Sequence, residues 1–132
     1  MYDTCFSVTY FEEKIDTSTG SLTGTYTAPN KKSKFFPSYP VPPLKIERKG
    51  NFIHQSGVMV FKLPFPPQEF FIRKEVLDKE KRKIDYVEEK PAKIPLKEIE
   101  LQGKCFLVQE SLLTTFPSLK EELLKHVLFK NL

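Results

Sequence analysis

Eleven prolines punctuate this 132-residue chain, and their placement constrains the fold more than any other feature. Proline has no backbone N–H and clashes inside a helix, so it is confined to first turns, sheet edges and extended connections. Five of the eleven (Pro29, Pro37, Pro40, Pro42 and Pro43) lie in one run; the others fall at 64–67, at Pro91 and Pro95, and at Pro117. The segments between them are rich in Phe and Tyr, twelve and five in all, with no Trp. Aromatic and β-branched side chains suit a pleated, half-buried surface. Strands are therefore the expected building material.

From Thr4 to Phe11, Cys5, Phe6, Val8, Tyr10 and Phe11 alternate loosely with Ser7 and Thr9, which reads as a strand. Asp16-Thr17-Ser18-Thr19-Gly20 is turn chemistry, and Leu22 to Ala28 resumes β character, predicting a hairpin. Leu44 to Lys49, a turn at Gly50-Asn51 and Phe52-Ile53 predict a second one, with a further strand from Val58 to Leu63 after a break at Ser56-Gly57. Residues 68–90 fit two patterns. As a helix they would carry the charged turn Lys79 to Lys83 across their apolar stripe; as a hairpin, Phe70, Ile72 and Val76 face one way, joined by Ile84 and Tyr86, and 79–82 forms a solvated tip. The hairpin is preferred. Pro91 and Pro95 mark a linker, and strand material flanks Gly103. The carboxyl end predicts a helix: Ser118 and Glu121 have capping-box spacing, and Leu119, Leu123 and Val127 share a face with Leu128 beside them.

The expected fold is mainly β, a bent antiparallel sheet or a partly open small barrel of about six to eight strands with a C-terminal α-helix. The alternative is α+β with a helix at 68–90. Residues 1–132 are expected to form a single domain, with an extended Pro-rich connection at 29–43, because domains commonly run to roughly 100–150 residues.

Function classes narrow by exclusion. His54 and His126 are isolated, no Cys, His or carboxylate cluster has metal-ligand spacing, and five scattered glycines supply no phosphate loop. Adjacent carboxylates such as Glu88-Glu89 and Glu121-Glu122 point apart and read as solvated faces. A Cys5 or Cys105 nucleophile with His54 as base would need assembly in space, and both cysteines lie in apolar, strand-like contexts. No enzyme activity, metal or cofactor is expected. Two lone cysteines, no secretory leader and no apolar run of membrane-spanning length lead to the expectation of a soluble, intracellular protein with no membrane association.

Charge is uneven. Residues 1–30 hold Lys14 against Asp3, Glu12, Glu13 and Asp16, whereas 31–62 hold Lys31, Lys32, Lys34, Lys45, Arg48, Lys49 and Lys62 against Glu47. Lys31, Lys32 and Lys34 run into Phe35, Phe36 and Tyr39. Interleaved cations and rings serve single-stranded nucleic acid, since charge follows phosphates and rings stack on bases. Pro40 and Pro43 have PxxP spacing with Lys45 following, which looks like the ligand pattern of SH3 domains. Ser21 to Ala28, Thr-rich with Gly24, resembles a strand of the avidin family, which implies only the local hairpin. That family lines its ligand pocket with tryptophans and this chain has none, so no binding residue carries over.

The expected function is a non-enzymatic binding or assembly module that contacts protein partners through sheet edges, the Pro-rich connection (Pro40, Pro43) and the C-terminal helix (Leu119, Leu123, Val127, Leu128). The alternative is a single-stranded nucleic-acid binder resembling an OB-fold module and using 31–49. A small-molecule ligand ranks behind both.

Overall fold

The computed structural model describes residues 5–29, 37–63, 69–78 and 83–128. Within them, eight strands form one sheet: β1 (Cys5–Asp16), β2 (Leu22–Ala28), β3 (Lys45–Lys49), β4 (Phe52–Leu63), β5 (Phe70–Asp78), β6 (Lys83–Ala92), β7 (Leu96–Leu101) and β8 (Lys104–Gln109). Two short helices follow, α1 (Glu110–Thr115) and α2 (Leu119–Leu123), the second running on as a wider π turn over Leu124–Leu128. The fold is mainly β, an open and bent sheet closed at one face by helix, in line with the first of the two architectures expected.

The centre of the sheet is β1. Along one side it pairs with β4 over its whole length, from Cys5 opposite Leu63 to Asp16 opposite Phe52. Its other side is divided: Phe11 to Ile15 pair antiparallel with β2, whereas Cys5 to Val8 pair parallel with β8. The sheet therefore forks at Thr9 and Tyr10. One branch continues through β2 to β5 and β6, and the other through β8 to β7. Backbone polar groups buried at a fork need substitutes for ladder bonds. The Tyr10 N–H donates to Gln109 Oε1 at 3.2 Å, and the buried Thr9 hydroxyl donates to the Thr27 carbonyl at 2.7 Å, tying both branches to the stem.

Strand alternation sends β1 side chains to two different cores. Phe6 and Val8 join Val58, Val60, Phe106 and Val108 beneath the helices, whose Leu112, Phe116, Leu119, Leu123 and Val127 complete that layer. Phe11 faces the other way, with Met59, Phe61 and Ala28.

Several boundaries differ from expectation. Residues 70–92 form the predicted hairpin, but its register sets Ile84 opposite Leu77 and Tyr86 opposite Glu75 rather than in the row of Phe70, Ile72 and Val76. The shift comes from an irregularity at Lys74/Glu75; the expected tip at 79–82 lies outside the described residues. Pro91 belongs to β6, opposite Phe71, rather than to a linker. A proline is tolerated there because, among the described residues, β6 is the last strand of its branch and needs no donor on its outer side. The break expected at Ser56-Gly57 is absent, and β4 is one strand of twelve residues. The helix α1 was not expected. Ser118 does stand at the N-cap of α2, but its hydroxyl makes no capping bond, so the predicted capping box is not formed.

Candidate binding surface at the β3–β4 edge

The strand β3, with sequence Lys-Ile-Glu-Arg-Lys, terminates the sheet, and among the described residues β4 is its one partner. All five of its residues are exposed. Ile46 is 55% exposed, and Phe52, where β4 begins, is 44% exposed. These are the two large apolar side chains left open among the described residues. Natural sheets commonly blunt such edges with charge. Here Lys45, Arg48 and Lys49 stand against Glu47, and Lys45 Nζ lies 3.2 Å from Glu47 Oε1 in a solvated pair of little energetic weight. Lys14 Nζ lies 4.8 Å from the centre of the Phe52 ring, a cation–π contact that covers part of it.

Residues 37–44 extend the line of β3 along β4. The N–H groups of Ser38 and Tyr39 reach the Val60 carbonyl at 2.8 and 3.3 Å, the Lys62 N–H reaches the Ser38 hydroxyl at 3.0 Å, and the Leu44 N–H reaches the Ser56 carbonyl at 2.9 Å. Tyr39 pairs with Val60 and Lys45 with Ser56, so the connection has two more residues than the strand it follows and must bow away at 40–43. Proline suits that bow because Pro40, Pro42 and Pro43 have no N–H to leave unpaired. At its lower end the connection approaches closely: a Cβ on Gly57 would stand 3.1 Å from the Leu44 nitrogen and from the Phe11 ring.

Under the bow lies an apolar cleft of about 480 Å³, lined by Phe11, Tyr26, Pro40, Val41, Val58 and Met59 among others, with Glu13, His126 and Tyr26 as its ionisable groups. Glu13 is held from both sides. Its Oε1 accepts from the Tyr26 hydroxyl at 2.9 Å and its Oε2 from Gln55 Nε2 at 2.6 Å. Burial and the Glu13 carboxylate beside it push the Tyr26 hydroxyl well above the ordinary phenol range, so it stays a donor. The Tyr26 ring lies nearly parallel to Phe11, at 6.4 Å between centroids, and folds back over Gly24.

A Cβ on Gly24 would meet the Tyr26 hydroxyl and lie 2.6 Å from two of its ring carbons. Gly24→Ala is therefore expected to expel the ring and destabilise the fold by about 1–3 kcal/mol, read from urea unfolding. In a Tyr26→Ala background the same substitution should cost nearly nothing; an unchanged cost there would show that the ring is not what the glycine accommodates.

The expected site residues divide three ways. Lys31, Lys32, Lys34, Phe35 and Phe36 lie outside the described residues. Lys45, Arg48 and Lys49 are exposed on β3, Pro40 is exposed at the cleft, and Pro43 is half-buried where the connection closes on Gly57. Tyr39 is not a free stacking ring: it packs at 5.7 Å on Phe6 and contributes to the helix-side core. Leu119, Leu123 and Val127 are 0–1% exposed, so the chain's own core occupies the helix face expected to meet a partner. The Leu128 side chain lies outside the described residues. Sequence reasoning missed Ile46 and Phe52, although an isoleucine flanked by charges in a five-residue strand is itself a signal of exposure. It also missed the Glu13–Tyr26–Gln55 network, whose members become neighbours only through strand pairing.

Cys5 and Cys105 meet, but without the histidine. His54 pairs across from Lys14, nine residues along β4 from the Leu63 that faces Cys5, and its Nε2 lies 3.4 Å from Glu12 Oε2. At roughly 3.3 Å per strand residue that separates imidazole from thiol by about 30 Å. Among the described residues no three His, Cys, Asp or Glu side chains gather closely enough to hold a metal ion, and no helix is long and apolar enough to cross a membrane. Comparison with protein-family models, with curated proteins and with solved structures gave no match.

Proposed function

We propose that this chain is a protein-binding module that takes an extended segment of its partner as an added strand beside β3. The observation that carries this reading is the outer strand whose five residues are all exposed, with Ile46 and Phe52 about half open to solvent. An unpaired edge supplies backbone donors and acceptors for strand addition, and side chains at alternate positions supply selectivity. Three cations against one anion on β3 favour an acidic segment, and the cleft under 40–43 is of a size and apolarity to receive one anchoring side chain.

A library of random extended peptides selected on the folded domain tests this. Acidic peptides with alternating apolar residues should be enriched, and their binding should protect the amides of 45–49 from hydrogen exchange. Ile46→Glu should weaken the selected peptides at least tenfold, about 1.4 kcal/mol, by setting a like charge against them. Protection confined to other strands, or affinity indifferent to Ile46→Glu, would remove β3 as the site.

The exposure of Lys45, Arg48 and Lys49 on β3, with Lys49 directly opposite the exposed Phe52, supports a second reading, a weak single-stranded nucleic-acid surface. Affinity for oligothymidylate should then fall linearly on a log-log plot with salt. A flat plot, or no binding, rules against it.

A further inference from the structure

The chain's two cysteines are 100 residues apart in sequence, and the parallel pairing of β1 with β8 sets them directly opposite each other. Their sulfurs are 3.1 Å apart. Paired strands run about 4.8 Å apart, inside the Cα separation of roughly 4.4–6.8 Å that a disulfide spans, so the pairing holds the two cysteines within bridging reach. The Cys5 thiol donates to Cys105 Sγ, and the Cys105 thiol donates to Glu98 Oε1 at 3.6 Å. Glu98 is exposed, which gives the buried pair a polar contact leading to solvent. The pair occupies one of the four rungs that the described residues form between β1 and β8, so exposing it requires local opening of that ladder rather than unfolding of the whole sheet.

The geometry points to Cys5 and Cys105 as a redox-active pair that closes an intramolecular disulfide on meeting a small disulfide such as oxidised glutathione. One protein thiolate attacks the small disulfide, forming a mixed disulfide and releasing one glutathione thiolate. The second protein thiolate then attacks the protein sulfur of that mixed disulfide and releases the other glutathione. Two protein thiols are oxidised, one glutathione disulfide is reduced to two thiols, and the two protons pass to the glutathione thiolates. Burial, the neighbouring Cys5 and the Glu98 carboxylate push the Cys105 thiol well above the ordinary thiol range, so the closed ladder protects it and exchange runs through local opening of the β1–β8 pairing. Once formed, the bond ties β8, and the helices that follow it, to the central strand. The pair is independent of the β3 edge.

The test is equilibration of the full reduced chain in graded glutathione buffers, native and in urea, with thiols trapped by alkylation and masses measured intact. The native chain should lose two hydrogens without retaining glutathione, and should favour closure roughly a thousandfold over the urea-unfolded chain, as expected for a loop of this length. The melting temperature of the oxidised chain should rise by roughly 15 °C. Cys5→Ser and Cys105→Ser, each confirmed folded by circular dichroism, should form no internal bond. A native chain that keeps both thiols where the unfolded chain oxidises, or that yields a stable glutathione adduct or intermolecular dimers instead, would overturn the inference.

Discussion

Phe106→Ala is expected to lower the unfolding free energy by about 3–5 kcal/mol, which is a large part of the roughly 5–15 kcal/mol that holds a typical domain together. Phe106 is completely buried, and its ring stacks on Phe6 at 4.9 Å with 20° between planes. Its strand, β8, is the one that joins the β7 branch and the helices to β1. Truncation removes the whole ring from a layer bounded by β1 and β4, by the β8–β7 branch and by the helices, and leaves a cavity among them. Urea unfolding should show a reduced midpoint with little change in slope. A loss below about 1 kcal/mol would mean that the helix-side layer repacks freely and is not the principal core.

Leu123→Ala should cost about 2–5 kcal/mol, because Leu123 is fully buried among Val58, Val60, Val108 and the other members of the helix-side cluster. This prediction separates two roles for the terminal helix. A leucine held on the surface for a partner would change stability by only a few tenths of a kcal/mol when truncated. Ile46→Ala provides the comparison, since Ile46 is more than half exposed and its loss should leave the midpoint within that small range. If Leu123→Ala behaved like Ile46→Ala, the helix would not be docked on the sheet.

The β-rich character, the hairpins and the terminal helix were legible because each rests on local chemistry. Asp16 illustrates this: its Oδ1 accepts the Ser18 N–H at 2.9 Å and the Ser18 hydroxyl at 2.6 Å, the turn bonding that an Asp-Thr-Ser-Thr-Gly run announces. The spacing of Leu119, Leu123 and Val127 likewise announced one buried face, and all three are buried. The same spacing carried no information on whether that face meets a partner or the chain's own sheet. Gly57 was read as a break by composition, whereas it lies inside β4 and admits the close approach of Leu44. The candidate surface was legible in part: Lys45, Arg48, Lys49 and Pro40 were singled out for charge and proline content. The exposure of Ile46 and the recruitment of Tyr39 into the core depend on which strand lies outermost.

What the sequence by itself determined is the material: short extended segments separated by proline, turns written in Asp, Ser and Gly, and one amphipathic end. These follow from interactions within a few residues. Tertiary structure alone decided the forked sheet, with β1 sharing one side between β2 and β8, because partner choice among strands is set by long-range burial on two faces at once. That choice left β3 at the edge, bowed the proline run over a cleft, and brought Cys5 to Cys105 across 100 residues of chain. The sites proposed here, for binding and for redox closure, are products of pairing rather than of motif.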